Sequence, residues 1–107
     1  MKRIPKEIHD YVLERDRNRC RICGKPATEV HHIYTRYSHI PDHLGVPKTV
    51  SNHHPFNLIA VCHECHVKIH NGKLELDKEQ LIRQNQELAS FKAFSEELES
   101  LLEKLRR

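Results

Sequence analysis

The sequence predicts a small α+β fold in which a strand–strand–helix unit lies between an N-terminal helix and a long C-terminal one. Three observations carry that reading. Two C-x2-C pairs, Cys20/Cys23 and Cys62/Cys65, are separated by 38 residues. Each pair neighbours a short run with strand character, TEVHHI at 28–33 and LIAV at 58–61. Histidines cluster in the same places, as His31-His32 in the first run and as His66 and His70 just after the second cysteine pair.

A chain of 107 residues supports one core, and a core of that size usually needs a staple. No apolar run is long enough to span a bilayer, so no membrane partner is expected. The opening MKRIPKE is not followed by an apolar segment of the kind a signal peptide carries, so a cytoplasmic location is expected. Cysteines in a reducing compartment read as metal ligands sooner than as disulfides. The formal net charge is +3, and residues 1–37 hold nine Lys or Arg against five acids, whereas residues 77–107 hold six against seven. The basic excess therefore lies on the cysteine and histidine half, which suits a polyanionic partner.

Taken in order, Pro5 suits the first turn of a helix over roughly 5–17, with Ile8, Tyr11, Val12 and Arg15 on one stripe. Arg15 and Arg17 are read either as solvated helix surface or as phosphate contacts. Cys20 to Gly24 forms a knuckle, the glycine allowing the tight turn. In the strand at 28–33, period-two alternation sets Val30 and His32 on one face and Glu29 and His31 on the other. Residues 34–55 read as a long loop punctuated by Pro41, Gly45, Pro47, Asn52 and Pro55, and its Arg36 and Lys48 are further candidates to meet phosphates. A strand at Leu58–Val61 leads into a short helix that Asn71-Gly72 should stop near residue 70. Asp77 to Gln80 resembles a capping box opening the last helix, expected to reach about residue 105. Its second half, SEELESLLEKLRR, has coiled-coil character, for which self-association and intramolecular packing are both open.

Four thiolates in two knuckles suit tetrahedral Zn2+ with no open coordination position, so Cys20, Cys23, Cys62 and Cys65 are assigned to structural zinc. A redox dithiol is the alternative, but no thioredoxin-like βαβ pattern accompanies it. With the two pairs tied together, His31 faces the helix bearing His66 and His70, which share one helical face. Three imidazoles can bind one divalent metal and leave room for water or phosphate. His32 points to the other side and is free to act as general base. Asn57 can bridge backbone groups across the hairpin and hold His32 in place. The competing reading makes His66 and His70 surface histidines.

His32, Asn57 and His66 resemble the His-Asn-His of HNH endonucleases, which share the ββα-metal or His-Me finger fold. The set His31-His32, Asn57, His66 and His70 is similar to the colicin-type DNases. The four cysteines, with the phrase from Val12 to Asp16 and on through Cys20 to Gly24, resemble the zinc-knuckle branch common in bacterial and phage members. The resemblance covers about residues 5–70. It implies a nuclease unit over 1–76 and an added amphipathic helix over 77–107 for packing, homodimerisation or a protein partner. It implies DNA as substrate, His32 as general base, Asn57 as the residue orienting the loop, and His31, His66 and His70 as catalytic-metal ligands. Glu29 matches a glutamate that supports the site through an arginine, for which Arg15 and Arg17 are the candidates. Many members have Asp where His31 stands; an all-imidazole set favours Zn2+, Ni2+, Co2+ or Mn2+ over Mg2+. His63 rivals His66 but lacks a partner four residues on. The expected function is metal-dependent hydrolysis of DNA phosphodiesters. The rival is a zinc-stabilised nucleic-acid-binding module without catalysis, and a third possibility is an adaptor acting through its C-terminal helix.

Overall fold

The computed structural model describes residues 4–35, 39–46 and 53–89, together with Ser100 and Glu103. Helix α1 spans Lys6–Arg15, strand β1 Glu29–His32, strand β2 Leu58–Val61, helix α2 His63–His70 and helix α3 Lys78–Ala89. The strands pair antiparallel, Glu29 opposite Val61 and His32 opposite Leu58. The result is a small α+β structure with a β-β-α core.

Pro5 sits one residue before α1, in extended conformation, and the helix buries Ile8, Val12 and Arg15. Its end is abrupt, because Arg17 and Asn18 adopt φ of 57° and 56°. That left-handed pair reverses the chain, and Asn18 N–H returns to the Leu13 carbonyl at 2.8 Å. Helix α2 ends as the Asn71-Gly72 signal predicts. Gly72, at φ 70°, donates to Ile69 O, and Lys73 N–H reaches back to Lys68 O, a Schellman closure that satisfies the last carbonyls. Asp77 Oδ1 accepts from Gln80 N–H at 3.2 Å, the expected cap of α3.

All four residues of β2 are buried. A buried strand edge must have its polar groups paired, and among the described residues β2 achieves this without a third strand. On its far side Ala60 N–H donates to Asp16 Oδ2 and Ala60 O accepts from Arg21 N–H, both at 2.9 Å. Leu58 O accepts from Arg15 at 2.7 Å and from Asn85 of α3 at 3.0 Å. Arg15, Asp16, Arg21 and Asn85 thus join α1, the first knuckle, β2 and α3 in one hydrogen-bonded network.

Here the reading of Arg15 as solvated surface or phosphate contact is corrected. Its side chain is 1% exposed and fully engaged, by Asp16 and by the carbonyls of Pro55 and Leu58. The stripe that buries Ile8 and Val12 carries Arg15 inward with them, and Asp16 neutralises it there. The long loop also contributes to the core: Ile40, Leu44 and Val46 are buried, and single turns of 3-10 helix form at Asp42–Leu44 and Pro55–Asn57. Ile82 and Asn85 pack α3 onto this core, and Gln86 bonds Leu44 O. The expected run of the last helix to about 105, with its coiled-coil half, lies outside the described residues apart from Ser100 and Glu103. So do Arg36 and Lys48. Among the described residues, no helix is long and apolar enough to cross a membrane.

Candidate metal centres and cleft

The knuckle at Cys20 is closed by Gly24 N–H donating to Cys20 O at 2.9 Å and by Cys20 N–H donating to Lys25 O at 2.7 Å. Gly24 takes φ 79°, which a side chain would resist. Cys62 caps α2, its sulfur accepting from Cys65 N–H at 3.4 Å. The hairpin brings the two pairs together: the four sulfurs lie within 4.8 Å of one another, and Cys23 Sγ is 3.6 Å from Cys62 Sγ. Tetrahedral zinc with bonds of about 2.3 Å needs sulfurs roughly 3.8 Å apart, so the cluster fits a structural metal such as zinc. Burial opposes ionisation of Cys20, but N–H groups of Cys23, Cys62 and Ile22 outweigh it and bring the thiol down to about 6. Burial, and hydrogen bonds from the neighbouring sulfurs, push Cys65 up. A metal ion would displace the protons that hold such thiols neutral.

On β1, alternation places Glu29 and His31 toward α2. His31 lies edge-on to His66 and to His70, with ring centroids 5.2 and 5.5 Å away. His66 Nε2 is 3.0 Å from His70 Nε2, and one nitrogen from each of the three rings falls within a common 4.8 Å. Glu29 sits beneath, its oxygens accepting from His66 Nδ1–H at 2.6 Å and from His63 Nδ1–H at 2.7 Å. The bond to His66 is the main reason the Glu29 carboxyl lies below the usual range. With Nδ1 committed to Glu29, His66 presents its Nε2 lone pair to the other two rings. Burial, reinforced by the positive charges that His66, His70, His32 and Lys78 can carry, lowers His31 to about 4. It is therefore neutral at pH 7, the form a metal ligand needs. The donor set thus fits a divalent ion.

Glu29 is placed as expected, but its partners are histidines. Neither Arg15 nor Arg17 meets it: Arg15 is held in the core, and Arg17 is an exposed residue of the left-handed turn. His63, the rival to His66, is exposed on the outer oxygen of Glu29 and is not one of the three clustered rings.

His32, next along β1, is not one of the three clustered rings; it borders the same cleft as His31 and His70. Burial, then the charges of His53 and His66, lower it to about 4. Its Nε2 lies 3.0 Å from His53 Nδ1. Asn57 is fully buried. Its side chain accepts from Tyr34 N–H at 2.8 Å and donates to Tyr34 O at 2.9 Å, while its carbonyl accepts from Ile33 N–H at 2.7 Å. It therefore fixes the chain immediately after His32.

An open cleft of about 580 Å3 runs past His31, His32 and His70 to Thr35, Leu74 and Lys78. Lys78 lies over the Tyr34 ring, 5.1 Å from its centre. Nothing in the sequence singles out Lys78, and His53 stands there as one of four histidines of the long loop (with His39, His43 and His54) for which exposure is the ordinary expectation, whereas His53 and His54 are buried. No spacing links Lys78 to the histidines, and the only signal for His53 is that it begins a second His-His pair beside Pro55.

No protein-family model matches the chain, and no solved structure matches it. A mitochondrial DNA mismatch repair protein mutS homolog from Sarcophyton glaucum is 37% identical over 60 residues. That segment is 53% of this chain and 5% of the relative, so the chain spans only a small part of that protein's length.

Proposed function

We propose that the chain is a metal-dependent HNH-type endonuclease that hydrolyses DNA phosphodiester bonds, stapled by zinc at Cys20, Cys23, Cys62 and Cys65. The observation that carries this reading is the convergence of His31, His66 and His70 around one point, with a fourth, separately held imidazole, His32, on the same cleft. A purely structural site has no need of an open cleft beside it. The relative's printed name concerns DNA, but its overlap is too short to carry the assignment.

His31, His66 and His70 would hold one divalent ion, which when bound supplies Lewis-acid polarisation of the phosphoryl group and charge stabilisation for the leaving oxygen. The remaining work belongs to the chain. His32, neutral at pH 7, takes a proton from the attacking water. Asn57 fixes the strand end that carries it. Glu29 orients His66 in the manner of a carboxylate behind a metal-bound histidine. Lys78, resting on Tyr34, offers an ammonium to a phosphate lying in the cleft. Such contacts make binding weaken steeply with salt.

The test is plasmid cleavage in Zn2+, Ni2+, Co2+, Mn2+ and Mg2+, with His32→Ala beside the parent. A positioned general base contributes roughly 10²–10⁴-fold. His32→Ala should therefore keep its fold and its metal content and lose activity by about that factor. DNA binding without cleavage in any metal, with only the four-cysteine site filled, would instead establish the non-catalytic binding module.

A further inference from the structure

His53 is buried in the loop before β2, and its ring packs against His32 with centroids 5.1 Å apart. Its Nδ1 and the Nε2 of His32 are 3.0 Å apart, so one proton is shared between two nitrogens. Two arrangements exist. His53 can donate, which puts the single N–H proton of neutral His32 on Nδ1, or His32 can donate from Nε2, which leaves its Nδ1 as a bare lone pair. The nitrogen engaged by His53 cannot take a proton from water, so only Nδ1 of His32 is open to do so.

We infer that His53 is a positioning residue, whose Nδ1 accepts from His32 Nε2–H and so holds His32 in the tautomer with its Nδ1 lone pair free for the reaction. The inference rests on the endonuclease reading. Its physical content is economy of motion. When His32 takes a proton at Nδ1, the Nε2–H···Nδ1 bond is already in place and becomes charge-assisted, hence stronger, without either ring turning. A neutral imidazole in this role leaves His32 a weaker base than a carboxylate would. It also adds no negative charge where a phosphodiester must dock.

The experiment uses the full, zinc-loaded chain and three variants. His53→Leu removes the acceptor at similar volume, His53→Asp can only accept, and His32→Ala calibrates the loss of the base. The expected result for His53→Leu is a kcat lower by roughly 10–100-fold, by analogy with the loss of a partner that orients a metal-bound histidine, with KM and metal content unchanged. His53→Asp should recover most of that kcat, because a carboxylate enforces the same tautomer. In parallel, 15N shifts of His32 in the parent should report a proton on Nε2 and none on Nδ1, and the mixture of tautomers should broaden in His53→Leu. Three outcomes overturn the inference: a protonated Nδ1 on His32 in the parent, a kcat in His53→Leu equal to the parent's, or an additional metal ion per chain that disappears with His53. If the parent cuts no DNA in any metal, the endonuclease reading fails by itself, and the 15N measurement still decides whether His53 sets the tautomer.

Discussion

Glu29 shows how far one side chain's position reaches. A carboxylate that accepts from His66 Nδ1–H holds the ring's orientation, fixes its tautomer and makes its Nε2 a better donor. Glu29→Gln keeps the shape but removes the charge, and an amide that presents its NH2 to His66 would reverse the tautomer. Metal affinity at the three-histidine site is expected to fall roughly 10–100-fold, while the four-cysteine site keeps its metal. Titration of Co2+ followed by its absorption separates the two, since thiolate and imidazole sites differ in spectrum; equal affinity in parent and variant would remove Glu29 from this role. The clustering of His31, His66 and His70 was legible in the sequence because alternation and the i, i+4 rule are local geometry. The partner of Glu29 was not: resemblance supplied an arginine, but Arg15, the one arginine of α1, is committed to Asp16. The pairing of His53 with His32 depends on how a loop of about twenty residues folds back, and no local rule encodes that.

At the scale of elements, the strand pair, α2 and the stop after it were readable from β-branched runs and from Asn71-Gly72. What could not be read was how β2 survives as a fully buried strand in a sheet of two. The answer is Asp16, whose side chain is 0% exposed and accepts from Arg15, Arg21 and Ala60 N–H. In the sequence it looks like one more acid among alternating charges. Breaking a buried ion pair by removing one partner costs about 3–5 kcal/mol, because the other charge remains uncompensated. Asp16→Ala is expected to destabilise the metal-loaded chain by about that amount, read from urea unfolding. A loss under 1 kcal/mol would mean that solvent reaches Arg15 once Asp16 is gone. The same network explains why α3 belongs to the folded unit, since Asn85 bonds the Phe56 and Leu58 carbonyls that flank Asn57.

For the molecule as a whole, the proposed function gives the two clusters on one hairpin different duties, and metal removal should tell them apart. Cys20 and Cys23 precede β1 and Cys62 and Cys65 follow β2, so an ion among them ties the two ends of the hairpin. Structural zinc of this type is worth roughly 10–16 kcal/mol of apparent binding free energy coupled to folding, as large as the whole net stability of an ordinary domain, about 5–15 kcal/mol. The histidine trio, by contrast, has β1, Glu29 and α2 to support it, and His70 is exposed. A moderate chelator should therefore strip the histidine site first, abolishing cleavage while circular dichroism and the melting transition persist. A stronger chelator, or acid that protonates the thiolates, should take the second ion and the fold together. The order follows from closure: a four-thiolate site has no coordination position left for a chelator to enter, whereas a three-imidazole site facing a cleft does. Loss of both metals in one step, with unfolding, would mean that the histidine ion is also part of the staple and that the division of labour between the clusters is wrong.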